Sequence, residues 1–266
     1  MRPDEYDIDT KHASAARVYD YCLGGEDHYA VDRRSADMAD EMFPGTKAAL
    51  RNNRRYLERV VRFLAAECGI RQFIDNGSGL PTKNNAHQVA QSIAPDARVV
   101  YIDNDPVVLA HQKVHALETE HTAFLLADAC DVDQIMTHPD TKRLIDLGRP
   151  IALLYLSFLH FIPETVADPF DVVRRALGYL APGSYLAISH ACSDDPAVRS
   201  GFDDLAVDAT GGHFGKLRKR SEIRRFFEGL DVIDPGLVDV NTWRPDGREE
   251  QQAAVLIEYG GVARKP

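Results

Sequence analysis

The stretch Gln72-Phe-Ile-Asp75-Asn-Gly77-Ser-Gly79-Leu-Pro-Thr82 constrains this chain more than any other. Phe73 and Ile74 read as the end of a short buried strand, Asp75 follows at its carboxyl edge, and two glycines come next at a spacing of two. A helical pattern then begins, with Ala86, Val89, Ala90 and Ile93 at i, i+3, i+4 and i+7 on one face. Strand, glycine turn and helix, in that order, are how an open α/β sheet offers backbone N–H groups to a ligand. Gly77 and Gly79 carry no Cβ, so the backbone can turn sharply and a ligand can come close.

The residues around the glycines decide which ligand. A dinucleotide fingerprint has a third glycine three positions after Gly79, where this chain has Thr82. A phosphate loop has Gly-Lys-Ser/Thr, whereas Lys83 follows a threonine. Asp75, two residues ahead of the first glycine, repels a pyrophosphate but accepts hydrogen bonds from an ammonium. A second strand, Arg98-Val-Val-Tyr-Ile102, runs into Asp103-Asn104-Asp105, with Asp103 placed 24 residues beyond Gly79. An acid at the end of the second strand is placed to take two ribose hydroxyls. Ammonium at one acid and ribose at the other describe S-adenosylmethionine, not NAD.

Asp75-Asn-Gly77-Ser-Gly79 together with Asp103 resembles the class I S-adenosylmethionine-dependent methyltransferases. Three longer strings, Ala16 to Asp27, Ile70 to Thr82 and Val99 to His111, are similar to a more specific group. It is an actinobacterial family first catalogued as a domain of unknown function and later called the S-adenosyl methyltransferase family. The resemblance runs from about residue 14 to the C-terminus and departs at Asn76, where such loops usually carry an apolar residue. It implies S-adenosyl-L-methionine as cofactor. It implies that Asp128 accepts from the adenine amino group, with Ala129 offering a backbone N–H, and that the amino-terminal segment folds over the cofactor mouth. Asp128 also reads as a helix N-cap before Val132.

Along the chain, His12 to Leu23, Tyr29 to Phe43 and Lys47 to Cys68 read as helices, an all-helical extension over residues 1–69. Strands near 71–75, 98–102, 122–127, 151–156 and 184–190 then alternate with helical patterns, the signature of a doubly wound parallel sheet. The expected fold is a Rossmann-like α/β methyltransferase sheet over residues 70–266 with that helical extension, the whole forming one compact unit. Residues 193–220 read as a polar, irregular connection, and 230–240 and 251–259 as two closing strands, an antiparallel pair at the sheet edge. The net charge of -10 argues against a general nucleic-acid binder. Cys22, Cys68, Cys130 and Cys192 are widely spaced, which suits free thiols in a reducing cytoplasm. No run reaches the roughly 18 apolar residues of a membrane span.

Ligands of such a sheet lie beyond the carboxyl ends of its strands. That rule selects Asp75, Gly77, Gly79, Asp103, Asn104, Asp128, Ala129 and Ser157 as cofactor-binding candidates. His160 lies just past the fourth strand, where a neutral imidazole can take a proton from an oxygen or nitrogen nucleophile; a histidine bonded to backbone in a packed turn is the plainer alternative. Tyr21 and His28, flanking Gly24-Gly25, are the other catalytic candidates. No metal site is expected: His111 and His115, with Glu118, lack the pattern of a zinc helix and read as a solvated face. Lys216-Leu-Arg-Lys-Arg220 reads as a solvated basic surface. The expected activity is methyl transfer to a small or medium-sized acceptor at oxygen or nitrogen. A non-catalytic S-adenosylmethionine-binding regulator is the alternative, and an NAD-dependent oxidoreductase is disfavoured by Thr82 and Asp75.

Overall fold

The computed structural model describes residues 8–116, 120–250 and 255–266. Three helices lead the chain, α1 (Ala15–Cys22), α2 (Ala30–Met42) and α3 (Thr46–Ala66). Alternation then begins with β1 (Gln72–Asn76), α4 (Ala86–Ile93), β2 (Arg98–Asp103), α5 (Pro106–Ala116) and β3 (Thr122–Leu126). It continues through α6 (Val132–Thr137), α7 (Pro139–Leu144), β4 (Ala152–Leu156), α8 (Pro169–Tyr179) and β5 (Tyr185–Cys192). The chain closes with α9 (Pro196–Ala209), α10 (Arg220–Ile223), β6 (Asp231–Val232), β7 (Val238–Asp239) and β8 (Ile257–Arg264).

One sheet collects these strands in the order β3-β2-β1-β4-β5-β8-β6, with β7 also paired to β8. Strands β1 to β5 are parallel, and their central members bury both faces. One face carries Ile74, Val100, Leu153 and Ile188 against α6, α7 and α8. The other carries Phe73, Val99, Leu154 and Ala187 against α3 and α4. Odd and even residues of each strand therefore serve different cores, which is why β4 reads as an unbroken apolar run.

Two expectations are corrected. Residues 196–209 form a helix where a loop was expected: Asp195 accepts from the Ala197 N–H and Pro196 opens the first turn. Acid and proline together are a start signal that the polar composition obscured. The closing strands also differ. Residues 230–240 hold only the two short strands β6 and β7, while the long strand begins at Ile257 and residues 251–254 lie outside the described residues. The antiparallel pairing at this edge is as expected, since β6 and β7 both pair antiparallel with β8, but β8 itself lies inside the edge, between β5 and β6. Gly260 permits that closeness, since a Cβ there would stand 1.9 Å from the Ile188 carbonyl oxygen.

Helix α3 is also tied to the segment that leads into β8. Arg59, buried in α3, donates to the carbonyls of Val240 (2.6 Å) and Trp243 (2.9 Å) and to the Glu249 carboxylate (3.0 Å). Trp243, the only tryptophan, packs edge-on against Tyr56 and Phe63 of the same helix. Arg59→Ala strands two carbonyls and a carboxylate, and should cost about 3 kcal/mol of stability. Urea unfolding followed by Trp243 emission checks this. Ala at the exposed Arg62 of the same helix should leave the midpoint where it is.

Candidate functional site

The strand order reverses between β1 and β4, so a crevice opens beyond their carboxyl ends. Asp75 stands there as the fourth residue of β1, in register with Tyr101 of β2 and Leu154 of β4. It is only 4% exposed, and no hydrogen bond from the described residues reaches its carboxylate. Burial pushes its pKa up to about 7, against the pull of the Arg54 guanidinium and with a smaller push from Asp103. A buried acid without a donor is costly, and the group that relieves it best is a cation bearing N–H.

Asp103 ends β2 and fastens the glycine loop. Its Oδ2 accepts from the Gly79 N–H at 2.8 Å and its Oδ1 from the Asp105 N–H at 3.0 Å. Burial raises its pKa to about 6 even against those bonds. The amides of Gly77 and Ser78 both donate to the Ile102 carbonyl, so the loop lies along the end of β2. Gly77 and Gly79 take φ of 70° and 66°, the left-handed region that favours glycine. A Cβ on Gly77 would stand 2.0 Å from the Phe158 ring, whereas one on Gly79 would meet nothing within 4 Å. One glycine is demanded by packing; the other keeps an open face. Asn76, the departure from the family pattern, is buried by donating to the Leu154 carbonyl of β4 at 3.3 Å.

The remaining cofactor candidates continue along the same edge. Asn104 is exposed next to Asp103. Asp128 follows β3 and accepts from the Cys130 N–H at 2.9 Å, shaping a turn that buries Ala129. The cap of α6 is Asp131, so the N-cap role expected of Asp128 is corrected. Ser157 follows β4 at φ 54°, with its hydroxyl donating to Glu258 Oε1 at 2.7 Å. From β3 to β4 the edge thus presents Asp128, Asp103, Asp75 and Ser157 in spatial order.

The three catalytic candidates do not come together. His160 is buried in the turn after β4, where its Nδ1 accepts from the Ala191 N–H at 3.3 Å. Burial, helped by the nearby Arg218 charge, lowers its pKa to about 3. The imidazole is therefore neutral and a weak base. Tyr21 and His28 stack edge-on at 5.1 Å, but Tyr21 donates to Asp37 and His28 pairs with Asp20. His160 borders an apolar cavity of about 100 Å³ between α1, α3, α9 and the ends of β5 and β8, and neither Tyr21 nor His28 lines it.

Sequence reasoning missed what lies between these groups. Tyr19 donates to the Leu50 carbonyl and accepts from Asn53 Nδ2 at 2.9 Å; Asn53 Oδ1 accepts from Ser189 at 2.6 Å. Ser189 Oγ in turn accepts from the Ser157 N–H at 2.9 Å. The chain ends on Glu258 of β8, 3% exposed, whose pKa burial pushes up to about 8. A lone acid inside the run Val255-Leu-Ile-Glu-Tyr259 was the available signal. The basic run is corrected too. Arg218 is wholly buried, between the rings of Phe170 and Phe226, donating to Glu164 and to His190 Nε2. His111 lies 3.4 Å from Asp27, Glu118 is outside the described residues, and among those residues no cluster of His, Cys, Asp or Glu could hold a metal.

A family model described as S-adenosyl methyltransferase matches residues 1–266. A crystal structure from Thermobifida fusca, described as a candidate methyltransferase, shares 40% identity at a TM-score of 0.89, covering 97% of this chain and 96% of that one. A DUF574 family protein from Streptomyces avermitilis shares 38% identity at a TM-score of 0.89, each chain covered in full. The [4+2]-cyclase SpnF, at 17% identity and a TM-score of 0.50 over 79% of this chain and 80% of that one, shares the fold alone. No curated protein matches.

The Asp75 carboxylate makes stability depend on pH in an unusual direction. Its pKa is about 7 in the folded chain against 3.8 ordinarily, so between about pH 4 and 7 the folded chain keeps a proton that the unfolded chain releases. Stability therefore falls as pH rises through that window. Asp75→Asn should match wild type near pH 4 and exceed it at pH 8 by on the order of 3 kcal/mol, as urea midpoints at the two pH values will show.

Proposed function

The chain belongs to the S-adenosyl methyltransferase family, and from that membership we propose how its residues divide the work. It is a methyltransferase with S-adenosyl-L-methionine as cofactor. The observation that carries the assignment of residues is the buried, donor-less carboxylate of Asp75 beside the second acid, Asp103, at the neighbouring strand end. Asp75 takes the ammonium, and the open face of Gly79 admits the ligand against the backbone. Asp103 takes the ribose hydroxyls on the lone pairs its two backbone donors leave free, with Asn104 alongside. Asp128 and Ala129 border the adenine, and Ser157 borders the sulfonium end.

When bound, S-adenosyl-L-methionine supplies a methyl group on a positively charged sulfur, ready for in-line displacement. The protein has then to exclude water and hold an acceptor in line. The segment from Ala13 to Cys22 does the first: Ala13, Val18, Tyr19 and Cys22 roof the cavity, and Ser14 donates to Asp105 at the end of β2. Within the helical extension of residues 1–69, this segment thus acts as a lid on the sheet unit of residues 70–266, while α3 covers one face of the sheet. The acceptor is a small molecule. Nucleic acid does not suit a chain of net charge -10, and a reducing cytoplasm suits the four free thiols. Among the described residues no helix is long and apolar enough to cross a membrane. A purely regulatory binder finds no support in the family membership.

Asp103→Ala removes two charge-assisted contacts to ribose and loosens the glycine loop. The affinity of the wild type for S-adenosylhomocysteine is expected to be micromolar, about -8 kcal/mol, and should weaken by about 2–3 kcal/mol in the variant. Calorimetry decides it, and equal affinities would sink the assignment. Hydrogen exchange supplies a second check: amides of residues 13–28 should slow when S-adenosylhomocysteine is added, and unchanged exchange would reduce the segment to a static helix.

A further inference from the structure

The cavity beneath α1 is apolar nearly all round, walled by Val18, Cys22, Leu50, Phe161, Phe214 and Leu256. Four of its hydroxyls are engaged: Tyr19 donates to Leu50 O, Thr46 to Phe43 O, Thr210 to Ala206 O and Ser157 to Glu258. Glu258 Oε2 is a buried oxygen with no hydrogen-bond partner, on a side chain that lines the cavity. A buried acceptor left unmatched costs free energy unless a donor arrives.

We propose that this cavity is the methyl-acceptor site, and that it takes a small neutral molecule, apolar but for one hydroxyl, whose O–H donates to Glu258 Oε2. The proposal rests on the methyltransferase reading and names what that site accepts. The position follows from the strand order. Adenine, ribose and ammonium fall at β3, β2 and β1, so the next strand end along, β4, faces the transferable methyl, and Ser157 and His160 after β4 border this cavity. The size follows from the volume, about 100 Å³. A dry cavity of about 150 Å³ holds one benzene ring, so at this volume a short branched chain fits as it stands and a single ring is accommodated once the walls give slightly. A cationic amine is disfavoured because the apolar walls offer its charge nothing but Glu258.

Glu258 is then also the base. As the acceptor's O–H bond breaks, the proton passes to Oε2 and the oxygen electron pair forms the bond to the methyl carbon. The carbon–sulfur pair stays on sulfur, leaving a methyl ether, neutral S-adenosylhomocysteine and protonated Glu258. The titratable groups facing it are Tyr19 and Cys22 from α1, His160 after β4, Cys192 from β5 and Asp239 from β7. Burial and Asp239 hold its pKa up near 8, well suited to a proton acceptor in mildly alkaline solution.

Phenol and toluene, which differ by the hydroxyl, are the probes, measured by saturation-transfer NMR and calorimetry on the full chain without cofactor. Phenol should bind wild type at least about tenfold more tightly than toluene, and the preference should grow as pH rises through about 8. Glu258→Leu should bring the two within about twofold. Ala206→Phe, which fills the cavity from α9, should abolish phenol binding. Ala206→Phe should keep wild-type affinity for S-adenosylhomocysteine, and circular dichroism reports that both variants fold. Equal binding of phenol and toluene, no binding of either, or phenol binding that survives Ala206→Phe would overturn the proposal. Absence of S-adenosylhomocysteine binding by wild type would overturn the cofactor assignment instead, and the phenol series is independent of it.

Discussion

Three carboxylates stand at one end of the sheet, Asp75 and Glu258 buried and Asp103 half-buried, and the cost of that desolvation organises the molecule. Asp75, Asp103 and Glu258 all have pKa values raised by desolvation, to about 7, 6 and 8. Each is answered differently. Asp103 is held by backbone N–H groups, Glu258 by one serine, and Asp75 by none of the described donors. The least satisfied acid is the one whose proposed ligand group carries a full positive charge. Binding energy for a cation is stored in the fold as unfavourable electrostatics, the usual trade of stability for function.

The three helices before the sheet belong to that economy. They close the edge of the cavity, and they also connect its polar groups. Tyr19, Asn53, Ser189, Ser157 and Glu258 form one chain of hydrogen bonds from α1 through α3 to β5, β4 and β8. Such a chain is worth keeping only when every member is matched, and its single loose end is the oxygen that borders the cavity. The polar run Asn52-Asn53-Arg54 has its explanation here too. Asn53 bridges Tyr19 and Ser189, Asn52 receives the Glu250 N–H, and Arg54 holds the exit of the glycine loop through Lys83 O and Asn85.

The neighbourhood of His160 illustrates how burial can silence a residue type. An imidazole beyond the fourth strand is a natural base on paper. In the folded chain it shares a buried pocket with His190 and the Arg218 guanidinium, which together disfavour a second positive charge. Arg218 itself looked like surface, one cation in a run of four within five residues. Its two flanking rings and the Glu164 carboxylate make burial affordable for it alone, while Lys216 and Arg220 stay near solvent with acidic partners.

Most of what is local was legible in the chain itself, the Asp195-Pro196 start of the helix at 196–209 and the Asp131 cap of α6 being exceptions. The period of the apolar residues gave most of the helices and the five parallel strands, and the Asp-x-Gly-x-Gly spacing with a second acid gave the cofactor. These depend on neighbours within about one element, where residue spacing and backbone geometry determine the outcome. Tertiary structure alone decided that a helix at 196–209 roofs the cavity, that β8 slides between β5 and β6, and that Glu258 faces Ser157 across 101 positions of sequence. Burial decided which acids and histidines hold their protons. That property belongs to the packing around a group, not to the group, and no spacing of residues encodes it.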